Sequence, residues 1–337
     1  MLKFIKILIY TSAMLVGLGY YLVTKKTFAF SYQAMIKLFC LTGGRSNDLL
    51  SSLIIFFNKK YYFDNANGIL QITDLAKREI VLNNLNANGF HVFDDRLSSD
   101  ICNKLINFAL THPCLSRSDS NNANLPTYDV YQRERPHAVR FDFAAQDLLQ
   151  NREVQQILSD YSLFAVAQDY LGSKPYMDVL SMWWHTAYSK GPDAAAAQFY
   201  HFDMDRPKWI KFFIYLTDVS VDNGPHTFIM GSHKTKGIKD VLLKKGYQRL
   251  SDEEVYENFG KEKVMEFVAP MGTIIAEDTR GLHKGKHVIK GDRLILQIQF
   301  SNLLFGGFYP KAKINNILTS ELKESLDKYA QIYSAYK

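Results

Sequence analysis

Cysteine is scarce. The 337 residues hold three, Cys40, Cys102 and Cys114, too widely spaced for a metal motif or a disulfide framework. A reducing compartment suits that usage. No basic run with interleaved aromatics is present, so the nucleic-acid signature is missing. Internal repeats are absent too, and low complexity is confined to residues 194–197. What remains is an ordinary globular composition, 47% hydrophobic, enough for a sizeable core. The length fits two domains, or one large β domain with helical additions. A net charge of +6 and a pI near 8.9 suit an anionic substrate or an acidic membrane surface without demonstrating either.

Charge is also lacking from residues 7–23, which lie between Lys3 and Lys6 on one side and Lys25 and Lys26 on the other. The run meets the lower limit for a membrane span, about 17 residues. A signal peptide competes with that reading, but no small-x-small cleavage site follows Val23. A buried helix is the third option. Lysines on both flanks leave the orientation open. Residues 1–26 are therefore expected to be an anchor and 27–87 a membrane-proximal helical segment. Within the latter, the apolar stretch 49–57 followed by Lys59 and Lys60 suits an interfacial helix or one packed on the domain. A chain beginning near Asp74 is expected to be soluble and active.

Apolar spacing predicts helices over 72–85, 99–110 with a Ser98 or Ser99 cap, 146–171 in two stretches stopped by Gly172, and 320–333. Strands are expected over 176–188, 208–216, 272–276 and 293–300. Alternation then puts Trp183 and His185 on one face and Trp184, Thr186 and Tyr188 on the other, and gives Arg293, Ile295, Gln297 and Gln299 a common face.

The chemistry concentrates in His201-x-Asp203, His283 and Arg293. On an extended strand, i and i+2 share a face, so His201 and Asp203 can reach one metal, and His283 can close the set from a distant strand. Two imidazoles and a carboxylate on one face of a metal are the ligands of non-haem Fe(II) oxygenases. A guanidinium at Arg293 can grip a carboxylate with two parallel hydrogen bonds. His-x-Asp alone is weak, since such pairs arise by chance. Asp205 rivals Asp203, although Pro207 suggests that the strand is already ending, and His287 rivals His283. Tyr188 and Gln297 are candidates to hydrogen-bond a co-substrate. His185 is a core histidine or a group near the substrate. Arg133, Arg135, His137 and Arg140 form an anion dock or a solvated loop. Trp184 and Trp209 are expected in the core.

His201-x-Asp203, Asp222-Asn223-Gly224-Pro225, Gly231-Ser232-His233-Lys234, His283 and Arg293, in that order, resemble the phytanoyl-CoA dioxygenase family. The resemblance spans about residues 88–305, from the strand at Asn88-Gly89-Phe90-His91-Val92-Phe93-Asp94 onward. Phe202, Met230 and Lys284-Gly285-Lys286 depart from the family's frequent residues, but none is a proposed ligand. The resemblance implies a mainly β fold with flanking helices, a double-stranded β-helix of the jelly-roll, cupin-like kind, over 88–310, leaving 311–337 as a helical tail. It implies Fe(II), 2-oxoglutarate and O2, with His201, Asp203 and His283 on the iron and Arg293 on the co-substrate. Related halogenases lack the carboxylate, so Asp203 points to hydroxylation. The expected substrate is a small molecule or a lipid, acyl or glycan group presented at a membrane, with the catalytic domain facing the cytosol; a soluble cytoplasmic enzyme is the alternative. Two other functions compete: a non-catalytic membrane-tethered binding module on the same fold, and a zinc hydrolase, in which Arg293 has no clear role.

Overall fold

The computed structural model describes residues 2–63, 67–72, 74–117 and 127–337. The expected helix over 72–85 and the expected domain 88–310 therefore each include residues outside that description, Thr73 and 118–126.

Three helices open the chain: α1 (Leu2–Thr24), α2 (Ala29–Thr42) and α3 (Arg45–Phe57). Then follow α4 (Leu75–Asn88), β1 (Phe90–Arg96), α5 (Ser99–Thr111), β2 (Pro113–Arg117), β3 (Tyr128–Val130) and β4 (Arg140–Asp142). Ser98 caps α5 by accepting from the Ile101 N–H. The expected pair of helices before Gly172 is three: α6 (Ala145–Leu149), α7 (Arg152–Leu158) and α8 (Tyr161–Leu171). Asn151 and Asp160 cap the second and third, so the segment is interrupted twice where one break was expected. Gly172 ends α8 at a φ of 74°.

The remaining strands are β5 (Tyr176–Thr186), β6 (Trp209–Tyr215), β7 (His226–Ile229), β8 (Val264–Phe267), β9 (Thr273–Glu277), β10 (His283–Gly285) and β11 (Asp292–Ser301). Helices α9 (Asp240–Leu243) and α10 (Asp252–Phe259) sit between β7 and β8. The terminal helix α11 (Ser320–Lys328) stops five residues short of the expected end, and the chain then turns so that Ile332, Tyr333 and Tyr336 pack into the core.

Two antiparallel sheets result, an eight-stranded one in the order β1-β9-β6-β11-β5-β4-β2-β3 and a three-stranded one in the order β10-β7-β8. The outer face of the large sheet, with Trp184, Phe212, Leu294 and Leu296, packs under α5–α8. Its inner face, with Trp183, Phe213 and Ile295, meets Phe228 and Phe267 of the small sheet. Period-two alternation along β5, β6 and β11 thus sends one set of side chains to the helices and the other to the space between the sheets.

The first three helices are not a separate layer. Met35, Leu38 and Phe39 of α2 share a core with Tyr200, Phe202, Met204 and Trp209. Phe39 stacks on Phe202 at 5.3 Å, Asn47 Nδ2 donates to the Pro207 carbonyl at 3.1 Å, and Asp48 pairs with Arg280 at 2.9 Å. Helix α1 lies on α2 through Tyr10, Met14, Gly17 and Tyr21, while Leu8, Leu15, Val16 and Val23 are exposed. It is long and apolar enough to cross a membrane by composition. The outer row of α3, Leu49, Leu53, Phe56 and Phe57, is exposed as well.

The packing argues against the expectation for a chain starting near Asp74. Such a chain bares the α2-facing surface, at about 1.5–3 kcal/mol for each large side chain returned to water. It is expected to aggregate, or to unfold at a lower temperature than the full chain, in a thermal melt monitored by light scattering.

Candidate metal centre

His201 lies outside the regular strands but is paired like a strand residue. Its N–H donates to the His283 carbonyl at 3.0 Å, and the His283 N–H donates back at 2.8 Å. This reciprocal pair sets the two histidines directly opposite, with ring centroids 4.3 Å apart. The next ligand is fixed in the same way: the Asp203 N–H donates to the Thr279 carbonyl at 2.7 Å. His201, Asp203 and His283 then bring three ligand atoms within 4.8 Å of one another.

Each imidazole is oriented by its back nitrogen. Nδ1 of His201 donates to the Phe199 carbonyl at 2.9 Å and Nδ1 of His283 to the Gly281 carbonyl at 3.0 Å. A carbonyl can only accept, so the proton sits on Nδ1 and the Nε2 lone pair is free for an ion. Burial holds both rings below the usual histidine range, which keeps them neutral. Burial alone would raise the Asp203 carboxyl, but the Lys211 ammonium, by its charge and its hydrogen bond, opposes this and holds the group well below its ordinary range. Lys211 Nζ reaches Asp203 Oδ2 at 2.6 Å and Asp205 Oδ2 at 3.1 Å. Both carboxylate oxygens of Asp203 face the histidines: Nε2 of His201 is 3.8 Å from Oδ1, and Nε2 of His283 is 3.5 Å from Oδ2.

Arg293 sits deeper in the same cavity, which measures about 240 Å³. It is 1% exposed. Nη2 donates to His185 Nδ1 at 2.8 Å, while Nε and Nη1 have no hydrogen-bond partner among the described residues. Burial lowers its pKa to about 10, still charged at neutral pH. A buried guanidinium with unfilled donors fits an incoming carboxylate. The floor there is Gly285, where an added Cβ would stand 3.1 Å from Nη2. Turn Asp222–Pro225 sets the offset between His283 and Arg293. The Ile289 N–H donates to the Asp222 carbonyl at 2.7 Å, and Gly224 has a φ of 77° with the Lys286 carbonyl where a Cβ would be.

Of the other candidates, Gln297 and His185 line the cavity. Tyr188 does not: β5 ends at Thr186, and Tyr188, 37% exposed, belongs to the face turned away from the metal group. Asp205 lines the cavity but gives its carboxylate to Lys211 rather than to the ligand group. His287 lies outside. The basic cluster divides. Arg133 pairs with Asp292 at 2.7 Å, Arg135 and His137 are exposed, and Arg140 alone reaches the cavity while paired with Asp142. Trp184 and Trp209 are core residues.

Three groups escape a motif reading: Lys211, His226 and Glu277. His226 Nε2 meets both Glu277 oxygens, at 3.0 and 2.9 Å. Burial pushes the carboxyl up to about 8 and the imidazole down to about 3, so this pair beside His283 is neutral. A charged residue within a wholly buried strand was the available signal for Lys211 and Glu277.

Residues 85–285 match the family described as phytanoyl-CoA dioxygenase (PhyH). The chain belongs to that family. No curated protein matches the sequence. Among solved structures, similarity extends to EctD from S. alaskensis with bound Fe, at 16% identity over 75% of this chain and 85% of that one, with a TM-score of 0.48. It also extends to HygX from Streptomyces hygroscopicus with nickel, 2-oxoglutarate and hygromycin B, at 14% identity over 72% and 93% and a TM-score of 0.47. The epimerase SnoN from nogalamycin biosynthesis is similar at 14% identity over 67% and 84%, with a TM-score of 0.44. The family assignment rests on the sequence match.

Replacing His283 by Ala is expected to abolish tight metal retention, whereas His287→Ala leaves it unchanged. Metal content after anaerobic purification reads the difference directly. Equal loss in both variants would misplace the centre.

Proposed function

We propose that the protein is an Fe(II)- and 2-oxoglutarate-dependent dioxygenase that hydroxylates a membrane-presented substrate. The observation that carries this reading is the buried guanidinium of Arg293, with unfilled donors, in one cavity with the His201–Asp203–His283 group. Neither a zinc hydrolase nor a non-catalytic module gives that guanidinium a task.

When bound, iron(II) and 2-oxoglutarate supply the oxidant from O2, with succinate and CO2 as co-products and one oxygen atom delivered to the substrate. The chain's own residues hold and aim these groups. His201, His283 and the Asp203 carboxylate would hold the ion. Lys211 donates to Asp203 Oδ2 and so fixes the rotation of the carboxylate. Arg293 grips the distal carboxylate, and neutral His185, accepting from Nη2, fixes the plane of the guanidinium. Gln297 faces the same space and can hydrogen-bond the co-substrate. Trp183, Phe213 and Ile295 keep water from the buried end of the cavity. Asp203, by filling a ligand position, favours hydroxylation over halogenation.

On this reading 88–310 is the catalytic body, 311–337 a tail, 1–26 the membrane anchor and 27–87 the membrane-proximal segment. Because α1 is gripped along its length by α2, it lies in the membrane surface rather than across it, with the exposed rows of α1 and α3 toward lipid. The catalytic body then faces the cytosol, where 2-oxoglutarate and reduced iron are available.

Arg293→Ala is expected to raise the 2-oxoglutarate concentration needed for half-maximal succinate formation by at least about tenfold, the worth of one lost charge-assisted contact of about 1.5 kcal/mol. Iron content stays unchanged, and Arg293→Lys recovers little because a point charge cannot make the paired contact. Loss of iron along with co-substrate would assign Arg293 to the fold instead. Separately, Leu8→Gln with Leu15→Gln should move the full chain from the membrane pellet to the supernatant without changing its metal content. A pellet fraction equal to wild type would remove the outer row of α1 from membrane binding.

A further inference from the structure

A second and larger cleft lies between the N-terminal helices and the body. It measures about 680 Å³ and runs from the start of α1, along α2, to α9 and the turn after it. Lys3, Lys6, Lys37 and Lys244 line it against a single acid, Asp240. The lysines of this chain that make ion pairs among the described residues are others: Lys60, Lys104, Lys211, Lys245, Lys284, Lys286 and Lys328. The cleft therefore gathers four cations that form no ion pair among the described residues, against one carboxylate. Its remaining lining is apolar and aromatic, with Lys37 standing over the Tyr10 ring at 5.1 Å. One side is α1, whose outer row is exposed and apolar.

The inner wall leads to the metal centre. Tyr247 lines the cleft and packs on Phe202, the residue between two ligands, at 5.3 Å. Tyr32 lines it too, close enough to Asp205 and Asp203 that burial and those carboxylates push its hydroxyl up to about 12. The 240 Å³ metal cavity has room for a small dicarboxylate but not for an amphiphile as well. A larger substrate must be held beside it.

We infer that this cleft binds the anionic headgroup of a membrane amphiphile and that this class of molecule is the substrate of the metal centre. The inference rests on the dioxygenase reading for the second half only; headgroup binding stands on the cleft itself. These four lysines supply the charge recognition, and the lipid-facing row of α1 gives the apolar part of the ligand its place.

Cys40 lines the cleft and is partly exposed, whereas Cys102 and Cys114 are buried, so thiol labelling reads occupancy without reference to catalysis. The experiment uses the full chain in neutral-detergent micelles, with a Cys40→Ser control. Phosphatidylglycerol, phosphatidylcholine or inorganic phosphate is added and the labelling rate followed. Phosphatidylglycerol at ten times its Kd is expected to slow labelling about tenfold. Phosphatidylcholine and inorganic phosphate should do neither, and Lys37→Glu with Lys244→Glu should remove the protection. Both lysines are exposed, so the double variant keeps the wild-type melting temperature. Equal protection by phosphatidylcholine overturns charge recognition, and equal protection by phosphate overturns the membrane source. Absence of protection overturns the site. Protection in a protein that never converts 2-oxoglutarate overturns the dioxygenase reading and leaves the binding site standing.

Discussion

Two backbone hydrogen bonds between His201 and His283 carry the arrangement of this molecule. They join a segment with little regular structure to the edge of the small sheet, and they put two imidazoles side by side, tilted at 51°, before any metal is considered. Everything else at the centre is an elaboration of that pairing. The Thr279 carbonyl extends it by one contact to place Asp203, and two further carbonyls orient the rings. The site is thus built on main-chain geometry, which side-chain replacement nearby disturbs little. A preorganised set of this kind spends its ordering entropy during folding, so less remains to be lost when an ion arrives.

The electrostatics around the centre are arranged to keep each group in a single state. The neutral His226–Glu277 pair, the neutral His185 and the charged Lys211 are all buried, and each has a partner whose chemistry complements its own. Arg293 is the exception, because Nε and Nη1 are buried without a hydrogen-bond partner among the described residues. In a low-dielectric interior an unfilled donor is costly, and such a cost persists where a ligand offsets it.

Strand faces were legible in the sequence because period-two alternation is local. Arg293, Ile295 and Gln297 point inward, and Trp184 points to the helices, as the spacing of β5 and β11 dictates. His201, Asp203 and His283 were legible only through ordered spacing across distant segments. Tyr188 was misplaced because a strand end is set by its neighbours rather than by its own sequence. Lys211 and Glu277 were overlooked because a lone charge in an apolar strand has no pattern to announce it. The docking of α2 on the ligand segment had no local signature at all, since an apolar helix face does not say whether it meets lipid or protein.

Phe202 gives that docking a thermodynamic meaning. Its neighbours on both sides point toward the ion, while its own ring lies against Phe39 of α2 and Tyr247. Seating the helix and holding the metal therefore draw on the same few backbone torsions. By reciprocity, whatever free energy the ion contributes to fixing those torsions is returned as firmer seating of the helix, in equal amount. The helix and the ion act, in this sense, as two effectors of one short stretch of chain.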